Sequence, residues 1–298
     1  MAFTSEEVEF RSGEDTCTGT LLRPGSGGGA VPIVVMAHGF TATRTDGLPA
    51  FAEQFAAAGL AALTFDYRGF GASGGSERQV LSIERELEDL AAAISFARSL
   101  DGIDPSRLAL WGTSLGGGLT LETAANNRAI ACAIAQVPFA DGPSLLGKVP
   151  PLAATRLTAK GLADIAARRS GRERVMVPAA GPPGSLAAMT SPDAEPGFDS
   201  IRSEGSLHRN EVAAAVTLEI LKWRPGRKAE KIRCPLLVQV ATRDLDTPPG
   251  PATKAAAAAP KGRLEAYDCG HFDVYNPPWF EKVVSDQIEF LTENLLGS

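Results

Sequence analysis

Residues 108–118, which read LALWGTSLGGG, constrain the fold of this chain more than any other stretch. An apolar run leads into Gly-x-Ser-x-Gly and then into the glycine-rich start of a helix, as expected for a serine on a sharp strand-to-helix turn. Gly112 and Gly116 lack Cβ atoms, so strand and helix can approach closely and Ser114 can adopt a strained conformation. We therefore predict Ser114 as a nucleophile at a strand end, with the N–H of Leu115 beside its hydroxyl.

The same spacing occurs a second time at residues 71–75, which read GASGG. With 31 glycines among 298 residues, a single match can arise by chance. Ser73 lies in a run of small residues with no apolar strand leading directly into it, which is typical of a loop. The strand before Ser114 and the helix after it make Ser114 the preferred candidate.

Buried strands and amphipathic helices alternate along most of the chain. Several apolar runs show no polar alternation, which is typical of strands buried on both faces of a parallel sheet. The predicted strands cover residues 7–11 and 16–22 as an opening hairpin, then 31–37, 60–67, the run before Ser114, 130–137, 234–241 and 262–267. The predicted helices cover residues 48–58, 82–100, the segment after Ser114 to about 127, 251–259 and 279–296. Ser82 is the predicted N-cap residue of the second of these helices. This order predicts an α/β fold, a mostly parallel sheet of about eight strands with helices on both faces.

The alternation breaks between residues 139 and 232. This segment has paired prolines, an arginine-rich stretch and loops, with helices expected at 152–169 and 211–223. We predict a core domain of residues 1–138 and 233–298, and a cap of residues 139–232 over the carboxyl-terminal edge of the sheet. The Leu, Ala, Met and Phe content of the cap indicates a moderately apolar substrate, while its arginines are interpreted as solvated. The same apolar pieces are equally compatible with a homodimer interface.

A serine nucleophile needs a general base, and the chain has three histidines. The family resemblance described below implies that the triad follows the chain in the order Ser, acid, His, which excludes His38. His208 lies in the irregular cap and would need an acid from the same segment. His271 comes just after the last predicted strand, on the rim where such sheets bind ligands. We predict His271 as the base; a surface-loop role is the alternative.

The orienting acid should follow the strand at residues 234–241. Two carboxylates do so, in the segment TRDLDTP. Asp244 comes first and is the predicted acid, which would hold the imidazole tautomer and stabilise the imidazolium. Asp246 is the alternative acid, and otherwise caps a helix or lies on the surface.

An oxyanion hole needs convergent N–H donors, and Leu115 supplies one. Residues 38–40, which read HGF, end an early strand on the same rim as Ser114. The backbone N–H of Phe40 is therefore the predicted second donor. The side chain of His38 is predicted to be structural and to hold this loop by hydrogen bonds.

These motifs occur in the order HGF at 38–40, DYRGFGAS at 66–73, GTSLG at 112–116, Asp244, and GH at 270–271. In this order the chain resembles the α/β-hydrolase superfamily over essentially everything outside the cap. The Pro-Pro-Gly of the cap and the ending GHFDVY resemble a branch described as dienelactone-hydrolase-like or polyketide-transferase-like. The nucleophile is Ser rather than the Cys of dienelactone hydrolases or the Asp of haloalkane dehalogenases and epoxide hydrolases. The resemblance therefore implies an α/β-hydrolase fold with acyl chemistry.

The function that follows is a serine esterase that acts on a small-molecule ester through an acyl-enzyme on Ser114. An acyltransferase with the same acyl-enzyme and an alcohol or amine acceptor is one alternative, because a dry, lidded acyl-enzyme can wait for an acceptor. A non-catalytic ligand-binding protein on the same scaffold is another. No metal or organic cofactor is implied, since no Cys/His cluster has zinc spacing.

Net charge and hydropathy limit the kinds of binding partner that we expect for this protein. A formal net charge of −6 without a basic run argues against nucleic acid, and no apolar run is long enough to span a membrane. The first residues show neither a basic nor an apolar signal region, so we expect a cytoplasmic protein. The four cysteines are expected to be small buried hydrophobes.

Overall fold

The computed structural model describes residues 3–25, 29–146 and 149–297. Residues 1–2, 26–28 and 298 of the predicted core, and residues 147–148 of the predicted cap, lie outside the described part. Within it the strands are β1 Phe3–Ser12, β2 Asp15–Pro24, β3 Val31–Ala37, β4 Ala61–Phe65, β5 Ile103–Thr113, β6 Cys132–Gln136, β7 Met176–Val177, β8 Val212–Ala213, β9 Leu236–Ala241 and β10 Gly262–Tyr267. The α-helices are α1 Leu48–Ala57, α2 Ile83–Ser99, α3 Leu115–Asn126, α4 Pro151–Arg169, α5 Ala194–Ile201, α6 Val216–Ile220, α7 Pro249–Ala258 and α8 Trp279–Leu295.

Eight of these strands form one sheet in the order β1-β2-β4-β3-β5-β6-β9-β10. The β1–β2 hairpin is antiparallel and joins antiparallel to β4, whereas every pair from β4 to β10 is parallel. The predicted α/β fold with a mostly parallel sheet is therefore confirmed. Because parallel strands end at one edge, the segments that follow β3, β5, β9 and β10 can reach a common site.

The core lies on both faces of this sheet, which explains the apolar runs without alternation. Leu110 packs into the cluster that contains residues of α2, α3 and α7, whereas its neighbour Trp111 packs into the cluster that contains residues of α1 and α8. Both side chains are fully buried. Successive residues of β5 point to opposite faces, so a strand buried on both faces must be apolar throughout.

The start of α2 differs from the prediction. Ser82 occupies the N-cap position, but its side chain makes no capping hydrogen bond. Instead, the N–H of Ile83 donates to Oε1 of Glu219 at 2.8 Å. A residue of the predicted cap segment therefore accepts a hydrogen bond at the start of this core helix. The sequence pattern of residues 82–86 alone could not indicate that contact.

The predicted helix at 211–223 is wrong in its first part. Residues 212–213 form β8, which pairs antiparallel with β7, and only Val216–Ile220 are α-helical. The N–H of Ala213 donates to the carbonyl of Gln79 at 2.9 Å. These partners lie far away in sequence, so long-range pairing overrides the local helical pattern. The helix predicted at 152–169 is confirmed as α4 within one residue.

Asp164 of α4 joins three parts of the cap. Its side chain is fully buried, and Arg174 donates to it from Nε at 2.8 Å and from Nη2 at 2.7 Å. The backbone N–H groups of Val175 and Ala215 donate to the same carboxylate at 2.9 and 3.0 Å. Burial opposes ionisation, but these four donors lower the pKa of Asp164 below its usual value. The carboxylate therefore holds α4, the segment before β7 and the start of α6 together.

Replacing Asp164 with alanine is expected to destabilise the protein by about 3–5 kcal/mol, because it leaves two N–H groups without their acceptor and the guanidinium of Arg174 with Glu77 alone. Thermal unfolding and limited proteolysis of the cap measure this effect. Asp199→Ala is the matched control, since its ion pair with Arg202 is exposed and such pairs contribute about 0–1 kcal/mol. Equal stability losses in the two variants would contradict the assigned role of Asp164.

Within the described residues, no helix combines the length and apolar character needed to cross a lipid bilayer.

Candidate active site

Ser114 lies between the end of β5 and the start of α3, in a strained turn. Its φ is 55° and its ψ is −120°, a conformation that costs a non-glycine residue about 1–3 kcal/mol. A Cβ at Gly112 would lie 2.2 Å from the carbonyl oxygen of Gly116, and one at Gly116 would lie 2.3 Å from that of Ala37. The predicted close approach of strand and helix is confirmed. It forces the sharp turn that projects Ser114 from the sheet edge.

The backbone around Ser114 is held in place by neighbouring strand ends. Its N–H donates to the carbonyl of Gln136 at 3.0 Å, and its carbonyl accepts from the N–H of Phe139 at 2.8 Å. These bonds oppose relaxation of the turn, so the strained conformation persists.

Two further side chains meet Ser114 from distant parts of the chain. His271 follows β10 and Asp244 follows β9. Nε2 of His271 lies 3.1 Å from Oγ of Ser114, and Nδ1 of His271 lies 2.6 Å from Oδ2 of Asp244. The three side chains form an unbroken hydrogen-bonded chain, although 157 residues separate Ser114 from His271.

The loop after β9 holds Asp244 through its other oxygen. The N–H groups of Asp246 and Thr247 donate to Oδ1 at 2.8 and 2.7 Å. The structure therefore brings Asp244, rather than Asp246, to the imidazole of His271. Asp246 has no hydrogen bond to the ring; its backbone N–H holds Asp244, and its charge adds to the electrostatics of His271.

Thr247 was not singled out from the sequence. Its Oγ1 lies 2.8 Å from Oδ2 of Asp244, 2.9 Å from the carbonyl oxygen of Val137 and 3.2 Å from Nδ1 of His271. The hydroxyl has one proton, which it can donate to Oδ2 of Asp244 or to the carbonyl of Val137, while Nδ1–H of His271 donates to Asp244. Thr247 therefore helps to fix the carboxylate beside the ring. The Asp-x-x-Thr spacing, which favours a local side-chain turn, was the available signal.

The electrostatics of His271 reflect two opposing effects. Its ring is almost completely buried, and burial by itself lowers the pKa of an imidazole. The carboxylate of Asp244, with further contributions from Asp246 and Asp193, outweighs burial and raises the pKa of His271 above 6.5. The site thus stabilises the protonated form that a general base must adopt during reaction.

The other two histidines lie away from this arrangement. Nδ1 of His38 donates to the carbonyl of Gly39 at 2.9 Å, and the ring packs edge-on against Tyr67. Burial lowers the pKa of His38, so the ring stays neutral inside the loop. His208 stacks on Phe198 within the cap and makes no hydrogen bond to the triad.

Phe40 and Leu115, the predicted oxyanion donors, both lie near Ser114. Leu115 is the first residue of α3, and a Cβ at the neighbouring Gly39 would lie only 3.1 Å from Cβ of Ser114. Among the hydrogen bonds between described residues, neither N–H has an acceptor. Both residues line the same cavity as Ser114. Two free donors next to the serine are what an oxyanion requires, and their role stays a prediction.

Ser114 opens into two cavities that share Phe40, Ser114 and Met189. The larger has a volume of about 250 Å³ and is bounded by both core and cap. Its lining is mainly apolar. The apolar residues that line it are Phe40, Leu115, Phe139, Leu145, Leu146, Val149, Ala154, Leu157, Ala188, Met189, Val216, Leu218, Ile220 and Leu221. The smaller has a volume of about 20 Å³ and lies against His271, Phe272 and Tyr275.

None of the four cysteines lines the two cavities at Ser114. All four are free; Cys17, Cys132 and Cys269 are buried, as expected, while Cys234 is half-buried. Burial raises the thiol pKa of Cys17 to about 12, well above the range of a reactive thiolate. In the described ranges, no three His, Cys, Asp or Glu side chains converge as a metal site would require.

Comparison with known proteins agrees with the fold. The chain is 44% identical over 285 residues to the quorum-quenching protein AidA of Acinetobacter baumannii, covering 96% of this chain and 93% of that protein. It is 26% identical to the polyketide transferase ClaH of Penicillium crustosum, covering 97% of each. The crystal structure of the α/β-hydrolase GrgF from Penicillium sp. superposes with a TM-score of 0.83 at 23% identity, covering 98% of this chain and 99% of GrgF.

The prediction of an α/β-hydrolase fold and the resemblance to the polyketide-transferase-like branch are thus confirmed. The family model described as serine aminopeptidase, S33, matches residues 29–275, which include Ser114, Asp244 and His271. The chain therefore belongs to this hydrolase family and has the α/β-hydrolase fold.

Proposed function

We propose that this protein is a serine hydrolase that cleaves carboxylic esters through an acyl-enzyme on Ser114. The observation that carries the proposal is the hydrogen-bonded chain from Oγ of Ser114 through His271 to Asp244. A weakly nucleophilic hydroxyl needs such a base, and the base needs an orienting acid. The intact chain also argues against a purely ligand-binding role on this scaffold.

Acylation follows from these contacts. Oγ of Ser114 attacks the ester carbonyl carbon while Nε2 of His271 takes the hydroxyl proton. The N–H groups of Phe40 and Leu115 donate to the oxyanion of the tetrahedral intermediate. When the carbon–oxygen bond to the leaving group breaks, His271 returns the proton to the departing alcohol.

Deacylation repeats the sequence with water. Nε2 of His271 takes a proton from the water as its oxygen attacks the acyl carbon, and the bond to Oγ of Ser114 then breaks as His271 returns the proton to that oxygen. The smaller cavity supports this step, because its volume of about 20 Å³ beside Ser114 and His271 accommodates about one water molecule. The larger apolar cavity would hold the acyl chain, as burial of its methylene groups favours binding there by about 0.8 kcal/mol each.

Acyl transfer is the second candidate. The name of the relative ClaH, polyketide transferase, favours it, as does a cavity partly roofed by the cap that can shield an acyl-enzyme from water. The name of AidA, quorum-quenching protein, is compatible with a small-molecule substrate.

Two measurements test the proposal: covalent labelling of Ser114, and the ratio of hydrolysis product to acyl-transfer product. Intact-mass analysis after treatment with a fluorophosphonate should show one adduct on the wild-type chain and none on Ser114→Ala. p-Nitrophenyl esters from acetate to dodecanoate then measure turnover, with and without added methanol or butylamine. Free acid as the main product supports hydrolysis, whereas acyl ester or amide as the main product supports transfer. A folded wild-type chain with no adduct and no turnover would overturn both enzymatic proposals.

The pH dependence provides a separate prediction. His271 must be neutral to accept a proton, and its pKa is raised above 6.5. We therefore expect kcat/KM to fall as the pH decreases through a value above 6.5, because kcat/KM reports the ionisation of the free enzyme. Asp193→Asn should move this limb to lower pH by removing one of the stabilising carboxylates. A wild-type limb centred below 6.5 would contradict the prediction.

A further inference from the structure

Two helices of the predicted cap, α4 and α6, form one wall of the larger cavity. Leu157 and Thr158 of α4 and Leu218 of α6 line this cavity, and none of the three lines the smaller one. Ser114 lies on the core side, between the end of β5 and the start of α3. An acyl chain that runs from Ser114 into the larger cavity would therefore extend toward these two helices.

Gly161 lets the two helices approach each other closely at this wall. It follows Leu157 by about one turn of α4, so both residues lie on the same face of the helix, and both are buried. A Cβ at Gly161 would lie 2.9 Å from both Cγ and Cδ1 of Leu218 and 3.2 Å from the carbonyl oxygen of Ala214. Carbon atoms repel one another at that distance, because their optimal separation is about 3.5–4.0 Å. Leu218 can therefore lie against α4 because the glycine has no side chain.

The backbone of α6 is held on both sides of Leu218. Just before α6, the N–H of Ala215 donates to Oδ2 of the buried Asp164 at 3.0 Å. Just after Leu218, Oε1 of Glu219 accepts a hydrogen bond from the N–H of Ile83 in α2 at 2.8 Å. A methyl group added at the glycine of α4 would therefore displace the side chain of Leu218 rather than the helix. Leu218 borders the cavity, so its displaced side chain would move into that empty space.

We propose that the contact between Gly161 and Leu218 determines how long an acyl chain the larger cavity accepts. With a glycine in α4, Leu218 lies against the helix and leaves the cavity free, whereas a larger residue would direct Leu218 into the path of the chain. The preferred substrates are then esters whose apolar acyl chain is long enough to reach Leu218, rather than acetyl esters. This inference rests on the proposed function, which places the acyl chain in the larger cavity.

p-Nitrophenyl esters of unbranched acids from acetate to dodecanoate test the proposal. For the wild type we expect kcat/KM to be highest for an ester longer than butyrate. The measured quantity is the ratio of kcat/KM for that best ester to kcat/KM for butyrate. Gly161→Ala should lower this ratio about tenfold or more and move the optimum to a shorter ester, because one methylene group that a pocket cannot accept changes kcat/KM about 10–200-fold.

Two companion variants test whether Leu218 is the residue that moves. Leu218→Ala should move the optimum to a longer ester, because it removes the side chain that limits the cavity. When Gly161→Ala is added to Leu218→Ala, the ratio should change less than about twofold, since the side chain that the new methyl group would displace is absent. The two substitutions are thus expected to be strongly non-additive.

Gly250→Ala is the matched control for replacing a glycine within a helix. Gly250 lies in α7, where an added Cβ would have no atom of the described residues within 4 Å. The ratio in this variant should stay at the wild-type value. Thermal unfolding of each variant checks that it is folded.

A wild-type optimum at acetate or butyrate would overturn the proposal, and so would an unchanged or higher ratio in a folded Gly161→Ala variant. An equal loss with and without the Leu218 side chain would also overturn it. If Gly161→Ala failed to fold, an unchanged optimum in Leu218→Ala would be enough to reject the proposal. In these cases turnover that requires Ser114 would leave the proposed function standing. Absence of turnover on every ester, together with absence of a fluorophosphonate adduct on the folded wild type, would overturn both.

Discussion

Ser114→Ala is expected to reduce kcat on the best p-nitrophenyl ester by about 10⁶-fold, the loss seen when a triad nucleophile is removed. In the proposed mechanism the attacking side chain is then absent, and His271 has no hydroxyl to deprotonate. Residual turnover comes only from binding and the oxyanion donors of Phe40 and Leu115. Steady-state kinetics with active-site titration of the wild type measures the loss and excludes trace contamination.

The second Gly-x-Ser-x-Gly sequence provides the matched control. Oγ of Ser73 accepts from the N–H of Thr18 at 2.8 Å and donates to the carbonyl of Asp66 at 2.6 Å, so its role is to fix a loop. Ser73→Ala should therefore lower the free energy of unfolding by about 1–3 kcal/mol while turnover per folded molecule is retained. If Ser114→Ala kept most of its activity, or if Ser73→Ala lost turnover while folded, the assignment of the nucleophile would be wrong.

Asp244→Asn is expected to reduce kcat by about 10⁴-fold with little change in KM for an unsubstituted ester. The amide can present its N–H₂ group to Nδ1 of His271, which would favour the tautomer with the proton on Nε2, where it cannot accept from Ser114. The carboxylate that stabilises the imidazolium is lost as well.

Asp193→Asn is the control for charge alone. It removes a carboxylate that also raises the pKa of His271, but it has no hydrogen bond to the ring. Its effect on kcat at pH 8 should be less than about tenfold, since one charge without the hydrogen bond shifts a pKa by about one unit or less. A loss in Asp193→Asn as large as that in Asp244→Asn would mean that orientation by Asp244 is not the main effect.

Most of the fold was predictable because its signals are local. Residues 31–37 and 108–111 are apolar at every position, as expected of strands covered on both faces, and the glycines around Ser114 require a close strand–helix contact. The opening hairpin, the long helix near residue 90 and the closing helix follow from period and turn residues in the same way.

The candidate site was predictable only in part. Chain order and strand ends pointed to Ser114 and His271, but two carboxylates, Asp244 and Asp246, follow β9 only two residues apart. Their separation in sequence says little about which one reaches Nδ1 of His271. The turn made by Thr247 and the two backbone N–H groups decides it, by directing Asp244 toward the ring.

The predicted cap also combines features that the sequence predicts with features that only the structure shows. The helix at 151–169 has a local signature, whereas the β7–β8 pair and the bond from Ile83 to Glu219 join segments more than thirty residues apart. The sequence by itself determined the α/β fold, the strained serine and the candidate base, because periodicity, glycine positions and chain order act over a few residues or follow from strand direction. Only the tertiary structure decided which carboxylate lies against His271 and which distant segments contact one another, because hydrogen bonding and burial depend on which distant residues fold against one another.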